Sequence, residues 1–386
     1  MTASKALVAA QSWVRNQALP FWAEIGFDRS AHNFVERADM AGNPLLAAPR
    51  RTMVQGRQIY VYAHAYQLGW FAEGAEMALT AADSLIARHF EADGAPGWVF
   101  STSGETGEVA DATRDFYAHS FALYGLAWAY RIDPRPTYRS VALQTLDLLK
   151  QRFRRGDGGY CPTLGGPAGT MLQNPHMHLF EAMLAWAAAD DTPVFLETAQ
   201  EVRDLVMGKA LQRPSGALIE YLDENWRPKP GIEGQIWEPG HHFEWAWLLH
   251  GHERLAPSVN ADDAFDLLIT KARQHGYDQD GFVISEVLEG GAAHKPTRRS
   301  WPQTEGIKAE IASFERGGRA SCRQRADQLA AKLMDQFLGT PVAGGWIDHF
   351  SEAGQPLNDF MPASTLYHVF LAIAEANRVG WTGDTA

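Results

Sequence analysis

Helical segments of two kinds alternate along this chain. Six are apolar or aromatic nearly all round: residues 57–72 (RQIYVYAHAYQLGWFA), 114–130, 174–188, 239–251, 301–314 and 361–376. Between them lie segments with one polar face, such as residues 138–152, 194–207 and 322–338. A helix without a polar face must be covered on every side, and an amphipathic helix can do the covering. Six inner and six outer helices satisfy both demands when they close into a ring. The pattern therefore predicts an all-α (α/α)6 barrel. An open helical solenoid is the alternative, but the units are unequal in length and no polar capping repeat marks either end.

A repeat supports the same reading. Glycine precedes an aromatic or apolar marker in turn-rich settings, and the markers Trp98, Tyr160, Leu218, Phe282 and Trp346 follow one another at nearly even spacing. Several begin a short extended stretch ending in a polar turn, as at 98–104, 218–225 and 346–354, which predicts small β-hairpins on the loops. No Pro/Gly/Ser-rich linker interrupts the series, so residues 1–386 are expected to form one catalytic domain.

Polar residues inside all-round apolar helices are costly unless they are paired or face a wet cavity. Glu181, Glu244, Glu305 and His368 recur in register with the same repeat. That spacing predicts that they converge at one mouth of the barrel. His178 and Glu181 are three apart, as are His241 and Glu244, which places each pair on one helix face. There a carboxylate can fix an imidazole's tautomer and raise its basicity. The same side chains, with His176 and His242, could suit a metal, but the order is the reverse of the Glu-x-x-His of di-iron bundles, and no His-Glu-x-x-His motif occurs. No phosphate-binding glycine loop is present, and the Gly-Xaa-Ser-like stretches near Ser103 and Ser215 lack the strand-to-helix setting of a nucleophile elbow. Neither a metal nor an organic cofactor is expected.

Bulk properties narrow the partners. The formal net charge of −12 argues against nucleic acid and anionic membrane surfaces. Two cysteines, Cys161 and Cys322, are too few for a disulfide framework, and no run of about 20 apolar residues could span a bilayer. A cytoplasmic protein, monomeric or homodimeric, is the expectation. Thirteen tryptophans, eleven tyrosines and nineteen phenylalanines suit both a large core and the flat faces that pack on sugar rings.

The motifs NPHMHLFEA from Asn174, PGHHFEW from Pro239, WPQTE from Trp301 and TLYH ending at His368, with Arg57-Gln58 in the first inner segment, resemble the signatures of the N-acylglucosamine 2-epimerase superfamily over essentially the whole chain. Within it the likeness is nearer to the D-mannose isomerases than to the cellobiose 2-epimerases, because Ser300 precedes Trp301 where the latter tend to carry a second tryptophan. The resemblance implies an (α/α)6 barrel and metal-independent proton transfer on a monosaccharide, through a cis-enediol. It implies His241 and His368 as the acid/base pair, with Glu244 orienting His241. It also implies that Arg57, Tyr117, Asn174, His178, Trp301 and Glu305 bind the sugar or shape its pocket. Mannose–fructose isomerisation, with lyxose–xylulose as a further pair, is the activity expected. A 2-epimerase, an α/α-barrel glycoside hydrolase and a non-catalytic sugar binder are the alternatives.

Overall fold

The computed structural model describes residues 4–166, 169–257 and 263–383. It is the expected (α/α)6 barrel. The inner helices are α3 (Thr52–Gln67), α5 (Phe116–Ile132), α7 (Gln173–Ala187), α9 (Pro239–Leu255), α11 (Ser300–Gly317) and α13 (Thr365–Arg378). Each packs against the next, and α13 returns to α3 to close the ring. Five outer layers follow their inner partners: α4 (Gly74–His89), α6 (Pro136–Leu148), α8 (Pro193–Lys209), α10 (Ala264–His275) and α12 (Ala320–Lys332). The sixth comes from the N-terminus, where α1 (Lys5–Trp13) runs through a π-turn into α2 (Leu19–Ile25).

The ring is closed by contacts between the two ends of the chain. Trp22 stacks on Trp346 at 4.6 Å, and Gln11 Nε2 donates to Asn377 Oδ1 at 2.9 Å. Residues Phe360–Pro362 pair antiparallel with Arg37–Asp39. Each aromatic pair of this kind adds roughly 0.5–1.5 kcal/mol beyond area burial. Between α3 and α5 the backbones nearly touch: a Cβ on Gly56 would strike the carbonyl of Phe121, and one on Gly125 would strike Gly56.

The sequence markers pair with the chain leaving the preceding outer helix, in the bridges Phe90↔Trp98, Arg154↔Tyr160, Leu211↔Leu218 and Leu338↔Trp346. In the remaining unit the bridge Tyr277↔Val283 falls one residue past Phe282. Most of these stretches are then clamped to the next inner helix. The backbone N–H groups of Trp98, Tyr160 and Leu218 donate to Nε2 of His119, His176 and His242 at 3.1, 3.0 and 3.1 Å. The Nδ1–H of each histidine donates to the carbonyl four residues earlier. Val283 makes the same bond to Gln303 Oε1 and Phe34 to Gln55 Oε1, both at 2.8 Å. His176 and His242 are therefore struts of the fold.

The hairpins are present, and one has grown. Residues Ile236–Trp237, Ile284–Leu288, Ala293–Arg299 and His349–Phe350 form a four-stranded antiparallel sheet at the N-terminal end of the barrel. It delivers Glu238, Arg299 and Asp348 to the mouth. Among the described residues no helix is long and apolar enough to cross a membrane.

Candidate active site

The N-termini of the inner helices meet at a polar cavity of about 240 Å³. Its walls include Arg57, Tyr117, Asn174, His178, His241, Glu244, Trp301 and His368, all anticipated, and Glu238, Arg299, Asp348, Ser364 and Thr365 in addition. Because helix N-termini carry partial positive charge and unpaired N–H groups, this end of the barrel favours negative charge developing on a bound substrate.

His241 and His368 flank one indole: their rings lie 5.1 and 5.8 Å from that of Trp301. Trp301 can approach because α9 carries Gly240, where a Cβ would strike the indole. Both imidazoles are bonded from behind at Nδ1, which leaves Nε2 for the cavity. His368 Nδ1 lies 2.9 Å from Glu305 Oε1. His241 Nδ1 lies 2.9 Å from Glu220 Oε1, and 3.9 Å from Glu238 Oε2.

The partner of His241 corrects the sequence expectation. Glu244 does not bond to it, although the two are three apart. Glu220, on the hairpin that begins at the Leu218 marker, holds the ring instead. It is held in turn by Gln173, whose Nε2 donates to Glu220 Oε2 at 2.8 Å and whose Oε1 accepts from Trp245. Glu244 lines the cavity with neither carboxylate oxygen hydrogen-bonded to protein.

The expected convergence of four acidic or basic groups at one mouth also needs revision. Relative to the clamp residues His176, His242 and Gln303, the side chains two positions on are His178, Glu244 and Glu305, whereas Glu181 is five positions on and one turn deeper. Glu181 bonds His178 Nδ1 at 3.0 Å and accepts from Tyr367 Oη, and it lines a separate cavity at the opposite end of the barrel. Glu305 lies beneath the pocket, wholly buried, between His368 and the ammonium of Lys308 at 2.5 Å. It does not reach the sugar site. Arg57 donates to Tyr117 Oη at 2.8 Å and lies 4.2 Å from the ring of Phe121. Asn174 presents an Oδ1 that no protein group bonds.

The two pocket imidazoles are poised oppositely. Burial alone would push His241 down, but the carboxylates of Glu220 and Glu238 outweigh it and raise it to about 10. His368 is held well below the ordinary imidazole value, first by burial and then by Arg57 and Lys308. His178 is pushed down to about 3, again chiefly by burial. Burial and Glu220 raise Glu238 to about 7, against the pull of His241. An imidazolium and a neutral imidazole thus face one cavity across a tryptophan. That arrangement can donate one proton and accept another at the same pH. Two groups among the described residues could bring three ligand atoms to a cation: His178, Glu181 and Glu244, and Glu220, Glu238 and His241.

Glu220, Glu238, Gln173 and Lys308 were not legible as site residues. Glu220 carried one signal, an acidic residue between Ile219 and Tyr221 in an otherwise apolar hairpin.

A closed helical ring with a histidine-bearing polar pocket at its N-terminal mouth defines an α/α-barrel enzyme. Residues 33–372 match the model of the N-acylglucosamine 2-epimerase (GlcNAc 2-epimerase) family, and the chain belongs to that family, an isomerase or epimerase of sugars. It is 34% identical over 376 residues to a mannose-6-phosphate isomerase of Rhizobium meliloti (strain 1021), covering 94% of each chain. It is 25% identical over 286 residues to a D-mannose isomerase of Marinomonas mediterranea, covering 67% of this chain and 69% of the relative. Among solved structures, a D-mannose isomerase superposes with a TM-score of 0.84 at 20% identity, covering 97% of this chain and 98% of the other. The cellobiose 2-epimerase of Spirochaeta thermophila DSM 6192 gives the same TM-score at 21% identity, with 96% of both chains covered.

Proposed function

We propose that the protein is an aldose–ketose isomerase interconverting D-mannose and D-fructose without a metal, with His368 as base and His241 as acid. The observation that carries this is the opposite poise of the two imidazoles around Trp301. His368 Nε2 takes the C2 proton of the open-chain aldose while His241 protonates O1, giving a cis-enediol. His241 then takes back the O2 proton, and His368 returns its proton to C1. The ketose forms with no net change in either histidine. Arg57 and the helix N-termini stabilise charge on the enediol oxygens. Glu244 and Asn174 supply free acceptors for sugar hydroxyls.

Two further points support a single sugar unit as substrate. The cavity, at about 240 Å³, falls below the range of roughly 300–1,000 Å³ usual for larger ligands. Two of the relatives are named for mannose or its phosphate. A phosphorylated hexose is a second reading, favoured by the name of the Rhizobium relative and by Arg299, an exposed guanidinium at the rim with no carboxylate partner among the described residues.

NMR of mannose, glucose, lyxose and mannose 6-phosphate with enzyme in D2O tests the reading, because product identity and proton exchange are read together. Fructose formed with exchange at C1 or C2 is the expected result. Predominant conversion of mannose to glucose would sink the isomerase in favour of a 2-epimerase.

A further inference from the structure

Lys308 is wholly buried on α11, near the centre of the barrel. Its ammonium lies 2.5 Å from Glu305 and 4.0 Å from the ring of Trp247. Burying a charge in this way is expensive unless the charge does something where it sits. The carboxylates around it come from three helices: Glu305 on α11, Glu244 on α9 and Glu181 on α7. Together they keep Lys308 protonated, overcoming burial. Glu305 stands in the reverse position. Burial and the neighbouring Glu244 press it towards the neutral acid, and Lys308 is the first group to oppose them.

The protonation of Glu305 matters because its other oxygen meets His368 Nδ1 at 2.9 Å. An ionised Glu305 can only accept, so the histidine carries its proton on Nδ1 and presents a bare Nε2. A neutral Glu305 could donate instead, which would move the imidazole proton to Nε2 and abolish the base. The other charged or titratable groups facing His368 are Arg57 on α3, His178 on α7 and His241 on α9. All three bear on the ring's charge, and none of them touches Nδ1.

We propose that Lys308 is a positioning residue for the reaction: it keeps Glu305 ionised, and through Glu305 it holds His368 in the tautomer with a bare Nε2 facing the sugar. The inference rests on the reading of His368 as base, but it can be tested without turnover.

The test is 15N NMR of the full-length enzyme labelled at histidine, with the His368 signals assigned by their loss in H368Q. In the wild type at pH 7, His368 should show one protonated nitrogen, Nδ1, and one bare nitrogen, Nε2. In K308M the pair should change, to a proton on Nε2 or to the imidazolium, and K308R should restore the wild-type pattern. The kcat of K308M should fall at least about tenfold at pH 7 with KM nearly unchanged, the pattern of a lost transition-state group. A folded K308M with wild-type His368 shifts would overturn the proposal, as would a wild-type His368 protonated on Nε2. If Lys308 only stabilises the fold, K308M melts earlier and its shifts stay in place. Failure of His368 as base would appear separately, as near-normal turnover in H368Q.

Discussion

Glu220 Oε1 stands 2.9 Å from Nδ1 of His241 and is the largest charge raising that imidazole to about 10. Since the proposed acid is the imidazolium, activity is present below this value and lost as pH rises through it. Removing the carboxylate charge lowers the value, so in E220Q the alkaline limb of kcat/KM should move towards neutrality by more than one unit. At pH 8–9 this means a loss of about tenfold or more, since one unit is a factor of ten. A pH–rate profile checks it. An unmoved limb would mean that another group sets the charge on His241.

Trp301 is a spacer whose position depends on a glycine in the neighbouring helix. A methyl group at residue 240 would strike the indole and Pro302. Overpacking of this sort costs about 1–3 kcal/mol in stability. The indole must then shift relative to both histidines, and small misplacements of catalytic groups cost on the order of 10²-fold. G240A should therefore stay folded and lose far more activity than its melting temperature implies, whereas W301F should keep part of it. Steady-state kinetics beside thermal melts measures both.

His119, His176 and His242 make a prediction about stability. Burial is the main cause that pushes His119 and His176 down to about 4 and His242 to about 3, so all three are neutral in the fold. In the unfolded chain they titrate near 6.5. The sign follows: the unfolded state binds more protons below pH 6.5, so stability is full above that value and lost as pH falls towards 4. Because Gln303 and Gln55 fill the same clamp in other units, H176Q should melt within a few degrees of wild type. H176A, which leaves the Tyr160 N–H unpaired, should lose about 1–3 kcal/mol. Denaturation at pH 7 and pH 5 separates the variants, and activity per folded molecule should be unchanged in H176Q.

The clamp also explains what the sequence could and could not convey. Helix count, ring closure and the repeat were legible because the covered and covering faces differ in composition, and because marker and clamp recur from one helix pair to the next. The site was harder. Aromatic-flanked histidines at 119, 176 and 242 resemble those at 178, 241 and 368, and only the partner of Nε2 distinguishes a strut from a pocket imidazole. Helical spacing points to Glu244 as the partner of His241. The true partner, Glu220, comes from a hairpin 21 residues away, and contacts between elements leave no periodic trace. The repeat register places Glu181 a turn too high for a related reason: the units differ in loop length, so an even spacing between them cannot resolve one turn along a helix.

Metal removal bears on the two groups that bring three ligand atoms together. A metal ligand needs a free lone pair and gives up its proton on binding. In the first group Glu181 is occupied at both oxygens, by Tyr367 and by His178. In the second, His241 holds its proton strongly and Glu220 accepts from it and from Gln173. Glu244 alone keeps both oxygens without a protein partner, facing the cavity. These states favour sugar hydroxyls over a cation as the ligand of Glu244. Exhaustive dialysis against EDTA should accordingly leave kcat unchanged. E244Q should raise KM by about 10- to 100-fold, the worth of a hydrogen bond to a charged group at roughly 1.5–3 kcal/mol. Activity lost to EDTA and recovered with zinc or manganese would reverse the assignment, making Glu244 a metal ligand and the enediol oxygens its neighbours.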